Sequence, residues 1–438
     1  MLKRIFTPAA ALLLCLALGP SNARAAQQVG PLDLSGEING APYRIKVPAN
    51  WNGTLLVFAH GYRDKADHAG EVDNRTADAS PNPALDPALL AQGYAIAGSA
   101  YRDNGWAVDE GVQDTKALVN FFRANVAKPD RTILWGFSLG SVVTFKSMEQ
   151  FGGVYDGAIA ACAVGSGAPR TWDTASSLFL AYDVVFGAPS TWGTVGDADD
   201  DVDFETEVQP KLLAEVNNPL NFGRFEFVRL VGGNPGRGIQ PPPPPFFYPF
   251  WLFTDMFFLT EARAELERRA GGPVVQNLTH VYDLAPQERA YLNSIGVPNA
   301  TIDGWLAQMN ARTNISAPNP SRHYLEKHAE YSGKIKNPVL TLHTVVDGLV
   351  VVSNESAYRD TVAGAGRSDR LFQVYTSGAQ LGVVPGNIGH CDFTPQQLFT
   401  SVAAIENWVK TGVRPTQANF PAGQGFVPNF TPPPYPQQ

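Results

Sequence analysis

Short apolar runs alternate with amphipathic, helix-like segments over residues 36–170. Residues 43–47 alternate apolar and polar positions as in a strand, and mainly apolar stretches of strand length occur at 54–59, 94–100, 131–135 and 158–164. Between them, residues 109–122 and 138–150 place apolar side chains at the three- and four-residue spacing of a helix. Strands that alternate with helices are typical of a parallel sheet whose two faces are both covered. We therefore predict an α/β fold with a mostly parallel sheet flanked by helices.

The same alternation stops near residue 170 and returns near residue 338. There the pattern predicts strands at 338–345 and 371–375 and helices at 354–362 and 396–410. The intervening residues 171–335 hold an acidic run, a five-proline tract, an aromatic cluster and helix-like patterns such as 261–269. A loop of this length without its own structure is uncommon. We expect residues 171–335, hereafter the cap, to form a large, mainly helical insertion between two strands.

This pattern divides the chain into four parts. We expect the sheet domain to comprise residues 26–170 and 336–414, with the cap between its two segments. Residues 415–438 are rich in proline, glycine and glutamine, which favours an extended or mobile tail. Residues 1–25 are treated separately because they have the features of a processing segment.

The first 25 residues predict a signal peptide. Lys3 and Arg4 precede an apolar run at 9–18, and Ala23 and Ala25 supply small residues at the cleavage-site positions. The run is too short to span a bilayer. We therefore expect cleavage after Ala25 and export to the periplasm or the medium, with no stable membrane insertion.

The charge and composition of the chain limit the kinds of molecule that it is expected to bind. The chain carries a net charge of −8, with 44% hydrophobic and 17% charged residues, which is typical of a globular protein. No clustered run of lysine and arginine is present, so we expect no nucleic-acid partner. Removal of the signal peptide leaves two cysteines, Cys162 and Cys391, which allow at most one internal disulfide.

The strongest chemical motif is Gly136-Phe137-Ser138-Leu139-Gly140, which follows a predicted strand and opens a predicted helix. A nucleophilic serine on a tight strand-to-helix turn needs small residues two positions away on each side. The helix N-terminus and the Leu139 N–H then point at the oxygen that becomes negative during acyl transfer. We predict that Ser138 is the nucleophile and that Leu139 supplies one oxyanion-hole donor.

A second motif, His60-Gly61-Tyr62, follows the strand predicted at 54–59. Acyl transfer needs a second N–H donor from the loop at this place in the sheet, and we assign it to Tyr62. Gly61 allows the backbone to approach closely. We interpret His60 as a structural hydrogen-bonding residue rather than the catalytic base.

The base and the acid are predicted from their order along the chain. Of seven histidines, only His390 follows the last predicted strand, so it is the expected base. Asp347 is the first acid after the strand that resumes the sheet, and we expect it to orient His390. The alternative acids are Asp360, Asp369 and Asp392.

These motifs, in this order, resemble the α/β-hydrolase superfamily over residues 36–170 and 336–412, and the resemblance implies an α/β-hydrolase fold and a serine esterase or lipase activity. The Gly389-His390-Cys391 sequence also resembles tannases and feruloyl esterases, in which the corresponding cysteine bridges to one just before the serine. Here Phe137 occupies that position. We instead propose a Cys162–Cys391 bridge, with two buried thiols as the alternative.

We therefore expect a secreted serine hydrolase that cleaves small or polymeric carboxylic esters of hydrophobic or aromatic type through an acyl-enzyme. Tyr62 and the aromatic cluster, represented by Phe250 and Trp251, are the expected substrate contacts. The chemistry implies no metal and no cofactor, and we interpret the Asp197–Asp203 run as a solvated loop. The alternatives are an aminopeptidase-like peptidase and, more remotely, a non-catalytic binding protein.

Overall fold

The computed structural model describes residues 29–232, 248–379 and 388–435, with only the backbone of residues 248–251. The predicted signal peptide lies outside the described residues. No helix in the described ranges is both long enough and apolar enough to cross a membrane.

Eight strands form one sheet in the described part of the chain, in the order β1-β2-β4-β3-β5-β6-β7-β8. The first three in this order, β1, β2 and β4, pair antiparallel, and all later neighbours pair parallel. The strands are β1 (Leu32–Ile38), β2 (Ala41–Val47), β3 (Thr54–Ala59), β4 (Ala95–Ser99), β5 (Arg131–Phe137), β6 (Gly157–Ala161), β7 (Val339–Thr344) and β8 (Leu371–Thr376). The predicted α/β class and mostly parallel sheet are confirmed.

The sheet is covered on both faces because its strands alternate apolar residues between them. In β3, Leu55 and Val57 face the cluster formed with α2 and α3, whereas Leu56 faces the cluster formed with α13. The helices of the sheet domain are α1 (Asp86–Ala91), α2 (Val108–Asn125), α3 (Leu139–Gln150), α12 (Asn354–Gly364) and α13 (Pro395–Thr411). Every residue of β3 is buried, as expected of an inner parallel strand.

Helices dominate the described part of the chain between β6 and β7. They are α4 (Ala168–Phe186), α5 (Gln209–Val216), α6 (Phe222–Gly232), α7 (Tyr248–Leu259), α8 (Glu261–Ala270), α9 (Pro286–Ser294), α10 (Asn299–Asn310) and α11 (Asn319–Ala329). Phe179, Trp192, Phe227 and Met256 belong to an apolar cluster formed by these helices and their connections. The helices between β6 and β7 thus share an apolar core of their own.

The C-terminal segment corrects the expectation of an extended or mobile tail. Phe420 and Phe426 are buried against the face of the sheet that α13 covers. Phe420 stacks on Phe372 of β8 with ring centroids 5.6 Å apart. Tyr435 is also buried, and its hydroxyl lies 3.0 Å from Thr174 Oγ1 in α4. The described part of this segment contains two short 3₁₀ helices, Gln417–Asn419 and Ala422–Gln424, and its aromatic side chains bury apolar surface that helps to hold it in place.

Candidate functional site

Ser138 lies at a sharp turn between β5 and α3. Its φ of 55° falls in the left-handed region that residues other than glycine rarely adopt. A Cβ at Gly136 would meet the Gly140 carbonyl oxygen at 2.0 Å, and one at Gly140 would meet the Ala59 oxygen at 2.1 Å. Both glycines are therefore required by close backbone packing around Ser138, which lies at the carboxyl end of the inner strand β5.

His390 reaches Ser138 from the loop after β8. Its Nε2 is 2.9 Å from Ser138 Oγ, and its Nδ1 lies 2.9 Å and 3.0 Å from the two Asp347 oxygens. Gly389 precedes it with a φ of 78°, and a Cβ there would meet the Val346 oxygen at 2.7 Å. The structure thus joins the three residues predicted as a triad into one hydrogen-bonded chain.

Asp347 is fixed by backbone donors in the loop after β7. Its Oδ1 accepts the Leu349 and Val350 N–H groups, both at 2.9 Å, and its side chain is fully buried. The alternative acids Asp360 and Asp369 have exposed side chains that pair with neighbouring arginines. Geometry therefore favours Asp347 as the partner of His390.

A disulfide joins Cys162 to Cys391, with the two Cα atoms 5.1 Å apart. Cys162 directly follows β6 and is buried, and Cys391 directly follows His390. Both cysteines have positive φ, 44° and 53°. The bridge therefore ties the histidine loop to a central strand of the sheet.

The predicted oxyanion loop also lies beside Ser138. A Cβ at Gly61 would come within 3.3 Å of Ser138 Cβ, so a small residue keeps this approach open. Tyr62 and Leu139 line the same cavity as Ser138. His60 is buried beneath the loop and stacks on Tyr101, and burial, with the nearby Arg63 charge, lowers the pKa of His60 to about 3. His60 therefore stays neutral, in a structural role.

The cavity next to Ser138 has mainly apolar walls, which come from both the sheet domain and the cap. Trp106 and Trp172 meet edge to face with ring centroids 5.3 Å apart. Tyr62 meets Phe258 in the same way at 5.1 Å. The other residues that line the cavity are Val164, Thr171, Ala175, Leu178, Gly232, Asp255, Leu259, Leu349 and Val350.

The sequence pattern predicts only part of this lining. Phe250 and Trp251 belong to α7, but their side chains lie outside the described residues. Phe258, from the same aromatic run, does line the cavity. Trp106 and Trp172 were missed, because single tryptophans before α2 and within α4 give no local sign of which cavity they face.

Two clusters of three carboxylates in the described residues have side-chain oxygens close enough together to hold a metal ion. Glu261 is common to both, joined by Asp64 and Glu71 in one and by Asp203 and Glu205 in the other. Burial, reinforced by the neighbouring Asp64 charge, raises the pKa of Glu261 to about 8. A proton therefore competes with a cation at Glu261 near neutral pH. Cys162, Cys391 and His390 also lie close together, but the disulfide removes the thiolates that would bind a metal.

The strand order, the serine turn after β5, the acid after β7 and the histidine after β8 together define the α/β-hydrolase fold. No protein-family model matches the chain. Over 128 residues it is 30% identical to an o-phthalyl amidase from Xanthobacter agilis. This match covers 28% of the chain and 25% of the amidase, so the chain spans about a quarter of that relative's length.

Solved structures similar to this chain include esterases, peptidases and an epoxide hydrolase. An esterase from Aspergillus oryzae is 14% identical, with a TM-score of 0.42, over 87% of this chain and 80% of that one. Feruloyl esterase B from Aspergillus oryzae is 15% identical, with a TM-score of 0.37 and the same coverage. Proline iminopeptidase from Mycobacterium smegmatis is 13% identical, with a TM-score of 0.39, over 87% and 100%. Similarities at this level decide nothing about the substrate.

Proposed function

We propose that this protein is a serine hydrolase that cleaves carboxylic esters through an acyl-enzyme on Ser138. The observation that carries the proposal is the hydrogen-bonded chain from Ser138 Oγ through the His390 ring to Asp347. A neutral imidazole in this position accepts the serine proton through Nε2, while Asp347 holds the Nδ1–H. This arrangement supplies a base and its orienting acid at one nucleophile.

The proposed reaction has two halves. Ser138 Oγ attacks the ester carbonyl as His390 takes its proton, and the Tyr62 and Leu139 N–H groups stabilise the tetrahedral oxyanion. His390 then gives that proton to the leaving alcohol, and the acyl group stays on Ser138. In the second half, His390 takes a proton from water as the water attacks the acyl-enzyme. Ser138 leaves with the proton returned by His390, and the acid product is released.

The cavity supports an ester with a hydrophobic or aromatic group. Trp106, Trp172 and Phe258 place aromatic rings along the space next to Ser138. Aromatic edges and faces favour flat apolar groups, and burial of such a group contributes about 25 cal/mol per Å². We propose that the acyl or alcohol group of the substrate lies against these rings.

Amide hydrolysis is the second candidate function, and the 30% identity to an o-phthalyl amidase over 128 residues favours it. The same triad and oxyanion hole can cleave an amide if His390 protonates the departing nitrogen. An aminopeptidase form would also need an acidic group for the free amine of its substrate. None of the cavity-lining residues in the described part belongs to the acidic run 197–203, so the run gives this form no support, and the acidic residue that does line the cavity is Asp255 of α7.

Two features support export of the chain. The N-terminal residues have the pattern of a signal peptide, and the disulfide is of a kind that persists in oxidising compartments. We propose that the mature protein acts in the periplasm or outside the cell.

The test is a kinetic comparison of matched aryl esters and arylamides, which carry the same acyl groups and run from acetyl to benzoyl. Wild type should hydrolyse the esters, with kcat/KM rising toward the larger apolar acyl groups, and Ser138→Ala should lose the turnover. Selective turnover of the amides would make the amidase function the correct one. If neither series reacts, the proposed hydrolase function is wrong.

A further inference from the structure

A second histidine, His343, lies next to Asp347, the acid of the predicted triad. His343 is on β7, is fully buried, and places Nε2 3.5 Å from Asp347 Oδ2. The same nitrogen lies 2.8 Å from the Val350 carbonyl oxygen, which must accept its N–H. His343 thus lies next to Asp347 Oδ2, the same oxygen that is 2.9 Å from His390 Nδ1, although His343 plays no part in the proton transfers described above.

The other ring nitrogen of His343 faces a second buried carboxylate. Nδ1 is 3.2 Å from Oε1 of Glu355, a residue of α12 whose side chain is 1% exposed. Glu355 Oε2 accepts hydrogen bonds from the Thr341 hydroxyl and from the Gln373 amide, the latter at 2.6 Å. Two donors at Oε2 fit an ionised carboxylate, whose Oε1 then needs a proton donor from His343.

Two carboxylates, Asp347 and Glu355, are therefore buried against one imidazole. Within the described ranges, no lysine or arginine forms an ion pair with either of them. An unpaired buried carboxylate is costly, so a positive charge between the two is strongly favoured. Burial is the largest influence on the pKa of His343 and lowers it, but the Glu355 hydrogen bond and the two carboxylate charges outweigh it, so the net shift is upward.

We infer that His343 is a positioning residue, held as an imidazolium between Asp347 and Glu355, which anchors Asp347 as a carboxylate for His390. The inference rests on the proposed hydrolase function. His343 itself never touches the substrate.

The groups around His343 also allow a second distribution of protons, in which His343 is neutral and Glu355 is protonated. From the loop after β6, the Ala163 N–H approaches Nδ1 at 3.3 Å, and a bare Nδ1 would accept it. Glu355 would then carry the proton instead. The other titratable side chains that interact electrostatically with Glu355 are Tyr358 and Tyr375, and burial raises both of their pKa values, so they remain neutral. The protonation of His343 therefore decides between the two arrangements.

The first test reads that protonation directly in the wild type. In protein labelled with ¹⁵N-histidine, two-dimensional ¹H–¹⁵N spectra of the rings should show both His343 nitrogens protonated at pH 7. The signal is assigned in the wild type by through-space contacts of the ring protons with Val350 and Thr341, and its loss in His343→Gln is a second check. One bare His343 nitrogen at pH 7 would overturn the inference. This result does not depend on activity, so it stands even if the hydrolase function fails.

The second test separates positioning from structure. His343→Gln should lower kcat roughly 10- to 100-fold with KM nearly unchanged, since a small displacement of a catalytic group has that effect. The same substitution at His328, which pairs with Asp109 on α2, is the matched control and should leave kcat unchanged. The double variant His343→Gln/Glu355→Gln removes both charges, so its thermal stability should recover while its kcat stays low. If kcat recovers together with stability, His343 is structural only. If none of these variants folds, the ring spectra of the wild type decide.

Discussion

Loss of the Cys162–Cys391 disulfide should lower the stability of the folded protein. Cys162 and Cys391 are 229 residues apart, and the closed loop contains the cap and strands β7 and β8. The chain-entropy relation for a loop of this length gives about 18 cal/mol/K, or about 5 kcal/mol at 25 °C. Measured effects commonly fall below this value, so we expect a loss of about 2–5 kcal/mol in the free energy of unfolding when the bond is absent.

The same change should lower activity as well as stability. His390 directly precedes Cys391 and follows Gly389, which has a positive φ of 78°. Without the bond, the histidine loop loses its covalent link to β6. A displacement of about 1 Å can reduce the rate about 100-fold, so kcat should fall measurably in folded protein that lacks the bond.

The assay compares wild type, wild type with a thiol reductant, and the double variant Cys162→Ala/Cys391→Ala. Urea unfolding followed by circular dichroism gives stability, and ester hydrolysis gives kcat. Reductant should move the urea midpoint and the kcat of the wild type toward those of the double variant. It should change neither quantity in the double variant. Equal urea midpoints and equal kcat for the oxidised and reduced wild type would refute the reasoning.

Three further outcomes are expected. Gly136→Ala should destabilise by several kcal/mol in urea unfolding, because its Cβ would meet a backbone oxygen at 2.0 Å, whereas Gly153→Ala, with nothing within 4 Å, should not. Asp347→Asn should lower kcat about 10⁴-fold without a matching change in KM. In the folded protein the pKa of Glu261 is raised to about 8. The protonated side chain therefore contributes its full share to the free energy of unfolding below about pH 4.5, and this contribution is lost as pH rises through 8. Glu261→Gln should therefore flatten that part of the stability profile, whose slope is at most about 1.4 kcal/mol per pH unit.

The sheet domain was predictable because its strands are inner and parallel. Such strands give continuous apolar runs, and β3 and β5 coincide with the predicted 54–59 and 131–135 to within two residues. The hairpin strand β1 was missed because its side chains alternate between half-buried and exposed, and no continuous apolar run marks it. Tertiary contacts, which the local pattern cannot report, hold it in place.

The three hydrogen-bonded residues Ser138, His390 and Asp347 were predictable because their order along the sequence leaves few candidates for each. The glycine pattern marks Ser138, and the positions after the last strands select Asp347 and His390, which the structure brings within hydrogen-bonding distance. His343 and Glu355 could not be found in this way. They lie on a strand and a helix with no motif around them, and only the packing of α12 on the sheet brings them together.

The cavity lining and the C-terminal segment 415–438 likewise depend on contacts between distant parts of the sequence, which local patterns do not predict. Trp106 and Trp172 come from segments 66 residues apart, so their edge-to-face contact depends on how the cap sits on the sheet. Residues 415–438 have the composition of a mobile segment, but Phe420, Phe426, Phe430 and Tyr435 pack against the rest of the protein. Composition averages over such side chains and therefore misses them.

The central claim, that Ser138 is an activated nucleophile, is tested most directly by covalent labelling. Native protein is treated with a fluorophosphonate and analysed by intact mass and peptide mapping, with heat-denatured protein and Ser138→Ala as controls. We expect one adduct per chain, on Ser138, which forms in the native protein and in neither control. No adduct on the native protein, or an adduct on another residue that persists in Ser138→Ala, would contradict it.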